Sequence, residues 1–154
     1  MPATVTLSTT TLQYSVGKSD AQIKVASSTG LTADTRLYVD RELMSVVSVG
    51  LTAGNYTQVN VRRGVDGTTA SPHSSSATIT IGRGDQFYDS DPAGAPNEAV
   101  LVSPYINVVD GTVWYAQGDT TGPEAVRWWQ KTTTTYGETS LGVRTSTTEP
   151  TSST

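Results

Sequence analysis

The chain has 154 residues, 10 Lys and Arg against 14 Asp and Glu, a net charge of −4 and no cysteine. That balance argues against generic binding to a nucleic-acid backbone, which needs clustered Lys and Arg. The missing thiols exclude a disulfide framework and a thiolate metal site. Apolar residues make up 35%, below the roughly 45–50% of ordinary domains, so the expected core is thin and the surface rich in Ser and Thr.

No stretch approaches the roughly 18 apolar residues of a membrane helix. MPATVTLSTTT has neither the charged nor the apolar region of a signal peptide. With no cysteine, assembly in a reducing cytoplasm is expected.

In chain order, residues 1–20 read as an N-terminal arm with a first strand. Thr4–Thr6 and Thr11–Val16 alternate, and Ser8–Thr11 reads as a loop-like interruption between them. Residues 21–82 form a β module. Ala21–Ala26 is a strand, Arg36–Asp40 and Glu42–Val49 form a hairpin across Asp40-Arg41, and Gly50–Asn55 is a turn. Tyr56–Arg63 alternates Val59 and Val61 with Asn60 and Arg62, the period of a half-buried strand. A dense turn follows, with Arg63, Gly64, Asp66, Gly67, Thr68 and His73 as its structural residues, and Ala77–Ile81 closes the module.

Gly82–Asp85 marks a boundary, and Asp89–Asn97 reads as a loop. Residues 83–144 are a second small β module. Its strands are Glu98–Val102, Tyr105–Val109, Thr112–Gln117 and Ala125–Lys131, with Asp110-Gly111 as a hairpin turn. The polar residues beyond Lys131 read as an extended tail, which ends in the arm 145–154. No amphipathic helix of ten or more residues is evident. The expected fold is all-β, a small antiparallel sandwich or barrel with extended terminal arms.

His73 is the chain's one histidine. A hydrolytic site would need it oriented by a carboxylate beside an activated hydroxyl, and no G-x-S-x-G elbow is present. The favoured reading is that its ring bonds backbone and closes the turn. No catalytic residue is assigned. Asp85, Asp89 and Asp91 lack calcium-loop spacing, and no metal or cofactor is expected. Arg83-Gly84-Asp85 could serve adhesion, and Asn55-Tyr56-Thr57 fits the glycosylation pattern, but both are short, commonplace matches. The aromatic residues Trp114, Trp128, Trp129 and Tyr136 are candidates for a partner interface. Trp128 and Trp129 are neighbours and face opposite sides of a strand, so one belongs in the core and the other is expected to be exposed or at an interface.

The run from Leu31 to Ile79 resembles a module of virion structural proteins of tailed bacteriophages. A strand bearing V-x-R-G-x-x-G-T-x-A-x-x-H follows a hairpin of the I-D-x-E-x-M-x-V type. Val61, Arg63, Gly64, Gly67, Thr68, Ala70 and His73 match the first pattern; Val39, Asp40, Glu42, Met44 and Val46 match the second. The resemblance covers about residues 21–82. Ser74 departs from it, standing where a Gly often follows the His.

This resemblance implies a non-enzymatic virion component. The function expected is a capsid decoration, or cement, protein that binds the major capsid protein at the capsid surface and itself forms a homotrimer. Thr-rich arms would add strands to neighbouring subunits. The alternatives are a tail, neck or head-fibre component, a glycan-binding adhesin using exposed aromatic residues, and a cell-wall hydrolase for which no carboxylate pair stands out.

Overall fold

The computed structural model describes residues 7–93, 103–117, 127–131 and 138–140. The chain divides into two compact units, one spanning Leu7–Phe87 and the other starting at Tyr88. The architecture is all-β. Among the described residues its one helical element is a 3-10 turn, Gly84–Gln86.

The first unit holds β1 (Ser8–Thr11), β2 (Gln22–Val25), β3 (Arg36–Val39), β4 (Glu42–Ala53), β5 (Tyr56–Arg62) and β6 (Thr78–Gly82). They are ordered β1-β6-β3-β4-β5-β2, and every adjacent pair is antiparallel. The ring closes at Thr11–Gln13. Leu12 N–H donates to the Ala77 carbonyl at 3.0 Å on the β6 side, while Gln13 N–H donates to Lys24 O and Ala26 N–H to Thr11 O, both at 2.9 Å, on the β2 side. Leu12 and Val25 form the antiparallel bridge between the first and last strands. This unit is therefore a six-stranded barrel with no open edge along that seam.

Alternation places one side chain in two inside. Ile23 and Val25 from β2, Leu37 and Val39 from β3, Met44 and Val46 from β4, Val59 and Val61 from β5 and Ile79 from β6 meet Leu12, Val16 and Leu31 in one core. Each such burial contributes about 1.5–3 kcal/mol for a side chain of this size. Asp40 and Arg41 carry φ of 46° and 70°, the paired positive values of a type I′ turn, and Val39 pairs with Glu42 across it.

Two sequence expectations are corrected here. Ser8–Thr11 is a strand, in register with Thr78–Ile81; its hydroxyl side chains gave no apolar alternation to read. β4 continues through Gly50 to Ala53 and the turn shrinks to Gly54-Asn55. The register shifts between Val46 and Ser48 and between Val49 and Thr52 absorb extra residues as bulges, leaving Val47 and Leu51 exposed.

The second unit carries a sheet ordered β11-β10-β9-β8-β7. The strands are β7 (Phe87–Tyr88), β8 (Pro104–Asn107), β9 (Val113–Gln117), β10 (Arg127–Lys131) and β11 (Glu138–Ser140). β7, which begins at the last residue of the barrel unit, was not anticipated. β8 and β9 form the expected hairpin, but its loop is five residues, closed by Asn107 N–H to Thr112 O (2.9 Å) and Gly111 N–H to Asn107 O (2.7 Å). Glu138–Ser140, read as tail, pairs with Trp129–Lys131. The strand expected at 98–102, the C-terminal arm 145–154 and residues 1–6 of the N-terminal segment read over 1–20 lie outside the described residues.

Trp114, Ala116 and Trp128 pack with Tyr105 on one face of this sheet, and Tyr115 with Trp129 on the other. Trp114, Trp128 and Trp129 are all buried. The expectation that one of the paired tryptophans is exposed or interfacial is thus corrected, because both faces of β10 are covered. Tyr136 lies outside the described residues. Tyr105 stacks on Tyr88 at 3.9 Å between centroids. Burial, with Tyr88, Asp91 and Asp89 nearby, holds the Tyr105 phenol above its usual pKa.

Candidate functional site

Three of the turn residues singled out in the sequence, Arg63, Gly64 and His73, converge on one carboxylate, Glu42, which the sequence marks only as a pattern match. Glu42 opens β4 in phase with the core residues Met44 and Val46. Its side chain is 0% exposed. A lone carboxylate there would be prohibitively costly to ionise, yet it is fully met. Oε2 accepts from Arg63 Nε at 2.7 Å and from the Gly64 N–H at 3.0 Å. Oε1 accepts from Arg63 Nη2 at 3.0 Å, the Ser71 N–H at 3.0 Å and His73 Nε2 at 2.7 Å.

Burial pushes the Glu42 carboxyl upward. The Arg63 fork, His73 and the Ser71 and Gly64 N–H groups more than reverse this and hold its pKa at about 2. Hydrogen bonds to the charged form outweigh desolvation here.

Arg63 does more than pair with Glu42. Its Nη1 donates to Gly17 O (2.7 Å) and Asp20 O (2.8 Å), and Nη2 also donates to Ser71 O (2.7 Å). One guanidinium thus joins the loop before β2, the end of β5 and the turn before His73. The rigid fork suits this task better than an ammonium would.

Gly64 has φ +56°, and a Cβ on it would lie 2.8 Å from the Ala70 nitrogen. It is required by both conformation and space. Gly67 has φ +85° with nothing within 4 Å, so only conformation matters there. Thr68 Oγ1 donates to Val65 O (2.7 Å) and accepts from Leu43 N–H (3.0 Å), pinning the turn to β4. Asp66, at φ 55°, accepts from Arg36 Nε at 2.8 Å.

His73 is buried, and its backbone exchanges both hydrogen bonds with Val16 at 2.9 Å. Its ring does not bond backbone as expected but lies between two carboxylates. Nε2 meets Glu42, and Nδ1 meets Asp40 Oδ2 at 3.0 Å. Carboxylates only accept, so both contacts are hydrogen bonds when both ring nitrogens carry protons. A general base needs a free ring nitrogen aimed at a nucleophile. Here Nε2 faces Glu42 and Nδ1 faces Asp40.

The other candidates stay separate. Asp85 pairs with Arg83 at 3.1 Å on the exposed 3-10 turn. Asp91 accepts from Asn107 Nδ2 at 2.9 Å. Among the described residues no three His, Cys, Asp or Glu side chains are grouped to hold a metal ion. Asn55 is exposed at the β4–β5 turn, while the Thr57 hydroxyl is bonded to Thr52 at 2.9 Å.

Neither the role of Glu42 as the hub nor that of Asp40 as the second histidine partner is evident in the sequence. The available signal was phase: a Glu at the same alternation as Met44 and Val46 demands a buried cation. No protein-family model, curated protein or solved structure matches the chain.

Proposed function

We propose that the chain is a non-enzymatic virion structural protein that decorates and stabilises a bacteriophage capsid by binding the major capsid protein. The observation that supports this reading is how the residues that resemble a phage virion module are used. Arg63, Gly64 and His73 interlock with Asp40 and Glu42 of the preceding hairpin, and Thr68 ties the same turn to Leu43. A motif consumed in bracing a barrel suits a rigid scaffold, whose partner contacts fall elsewhere on the surface. The acidic, cysteine-free, hydroxyl-rich composition accords with a particle component assembled in a cytoplasm.

Attachment would use the terminal arms, adding strands to neighbouring subunits through main-chain bonds. Closure of the barrel dictates how to test this. Deleting residues 1–12 would remove β1 and the buried Leu12, so the informative truncations are 1–6 and 145–154. Truncated chains should keep the thermal midpoint of the full chain and bind undecorated heads more weakly. Unchanged head affinity would refute the arms as the attachment device, and failure of the full chain to bind heads at all would refute the decoration role.

A further inference from the structure

Independently of the capsid reading, we propose that the cleft between the Tyr14–Asp20 loop and β2 is a binding site for a neutral carbohydrate. The cleft has a volume of about 510 Å³ and is lined by Tyr14, Ser15, Asp20, Gln22 and Lys24 among others. That volume lies in the range of small-molecule sites.

Its walls carry polar groups with capacity to spare. Asp20 spends Oδ2 on the Gly17 N–H at 2.7 Å, and Oδ1 keeps its accepting capacity. Gln22 gives its amide NH2 to Asn60 Oδ1 at 3.2 Å and retains its carbonyl. The Ser15 hydroxyl adds a group that both donates and accepts. Tyr14 is 48% exposed and meets Tyr56 edge to face at 5.5 Å. A carboxylate, an amide and a hydroxyl beside a half-exposed aromatic ring suit adjacent sugar hydroxyls and the C–H face of a pyranose.

The charges narrow the class. Lys24 Nζ lies 5.1 Å from the Tyr14 centroid and 4.9 Å from that of Tyr56, a cation held on two rings. It disfavours a cationic ligand on Tyr14, and the Asp20 carboxylate disfavours an anion. A neutral ligand with many hydroxyls meets neither penalty.

The cleft is also braced. Arg63 Nη1 holds the carbonyls of Gly17 and Asp20, and the His73 backbone holds Val16 on both sides. The ion cluster therefore fixes the loop that forms one wall, which lowers the ordering cost of binding.

The test is an amide NMR titration of the isolated chain with glucose, galactose, mannose and N-acetylglucosamine, and separately with inorganic phosphate. The expected result is saturable shifts centred on residues 14–24 with at least one sugar. Tyr14→Ala and Gln22→Ala should each weaken binding about tenfold, with the wild-type pattern of amide shifts otherwise retained. No saturable shift with any of the four sugars would overturn the site. So would saturation by phosphate alone, or sugar binding unaffected by both substitutions.

Discussion

Arg63 and Glu42 meet in a two-pronged ion pair, Nε to Oε2 at 2.7 Å and Nη2 to Oε1 at 3.0 Å, with the Glu42 side chain wholly withdrawn from solvent. This pair joins two strands, the loop before β2 and the turn before His73. Removing one member strands the other. Arg63→Met should destabilise the barrel by about 3–5 kcal/mol, as for other buried pairs cut on one side, measured by urea unfolding. Glu42→Gln, which also leaves the guanidinium buried without its anion, should cost a similar amount. A loss below about 1 kcal/mol for both would show that the pair is not central to stability.

The same carboxylate sets an acid limit. Its folded pKa, about 2, is depressed from about 4.5, so its stabilising contribution is fully present above pH 4.5 and is lost as pH falls toward 2. The span corresponds to about 3 kcal/mol. Urea midpoints of the wild type should drop through this window, and Glu42→Gln should flatten that part of the profile. An equal slope in both proteins would place the acid sensitivity on other groups.

Gly64 and Gly67 separate space from conformation. Both lie at positive φ, but only Gly64 has backbone where a Cβ would go. Gly67→Ala should cost about 1–2 kcal/mol, the strain of a left-handed residue. Gly64→Ala should cost distinctly more, because the Ala70 nitrogen must move. Equal losses in thermal or urea unfolding would contradict the packing described for this turn.

The tryptophans act in the core. Trp129 is 1% exposed and packs with Tyr115. Trp129→Ala should destabilise its sheet by about 3–5 kcal/mol, visible as lost amide protection in β9 and β10. A variant with full protection but lost partner binding would restore the interface role.

Legibility in the sequence followed how local each interaction is. The Asp40-Arg41 hairpin and the alternation of Val59 and Val61 were readable because turn chemistry and period-two patterning act over a few residues. Ser8–Thr11 was not, since a strand of hydroxyl residues is defined by its partner Thr78–Ile81 rather than by its own pattern. The same holds for Glu138–Ser140 against β10. The burial of both Trp128 and Trp129 is not legible locally, because no pattern within their strand shows that both of its faces are covered. Arg63 and His73 were readable as turn residues; their common acceptor was not, because Glu42 lies 21 residues before Arg63 and 31 before His73.

The capsid proposal is tested most directly by an electron-microscopy reconstruction of phage particles purified from cells that make this chain. The account predicts hundreds of copies on the outer face of the head, each barrel contacting the major capsid protein. A few copies confined to the neck, tail or fibres, or no copy in the particle at all, would contradict it.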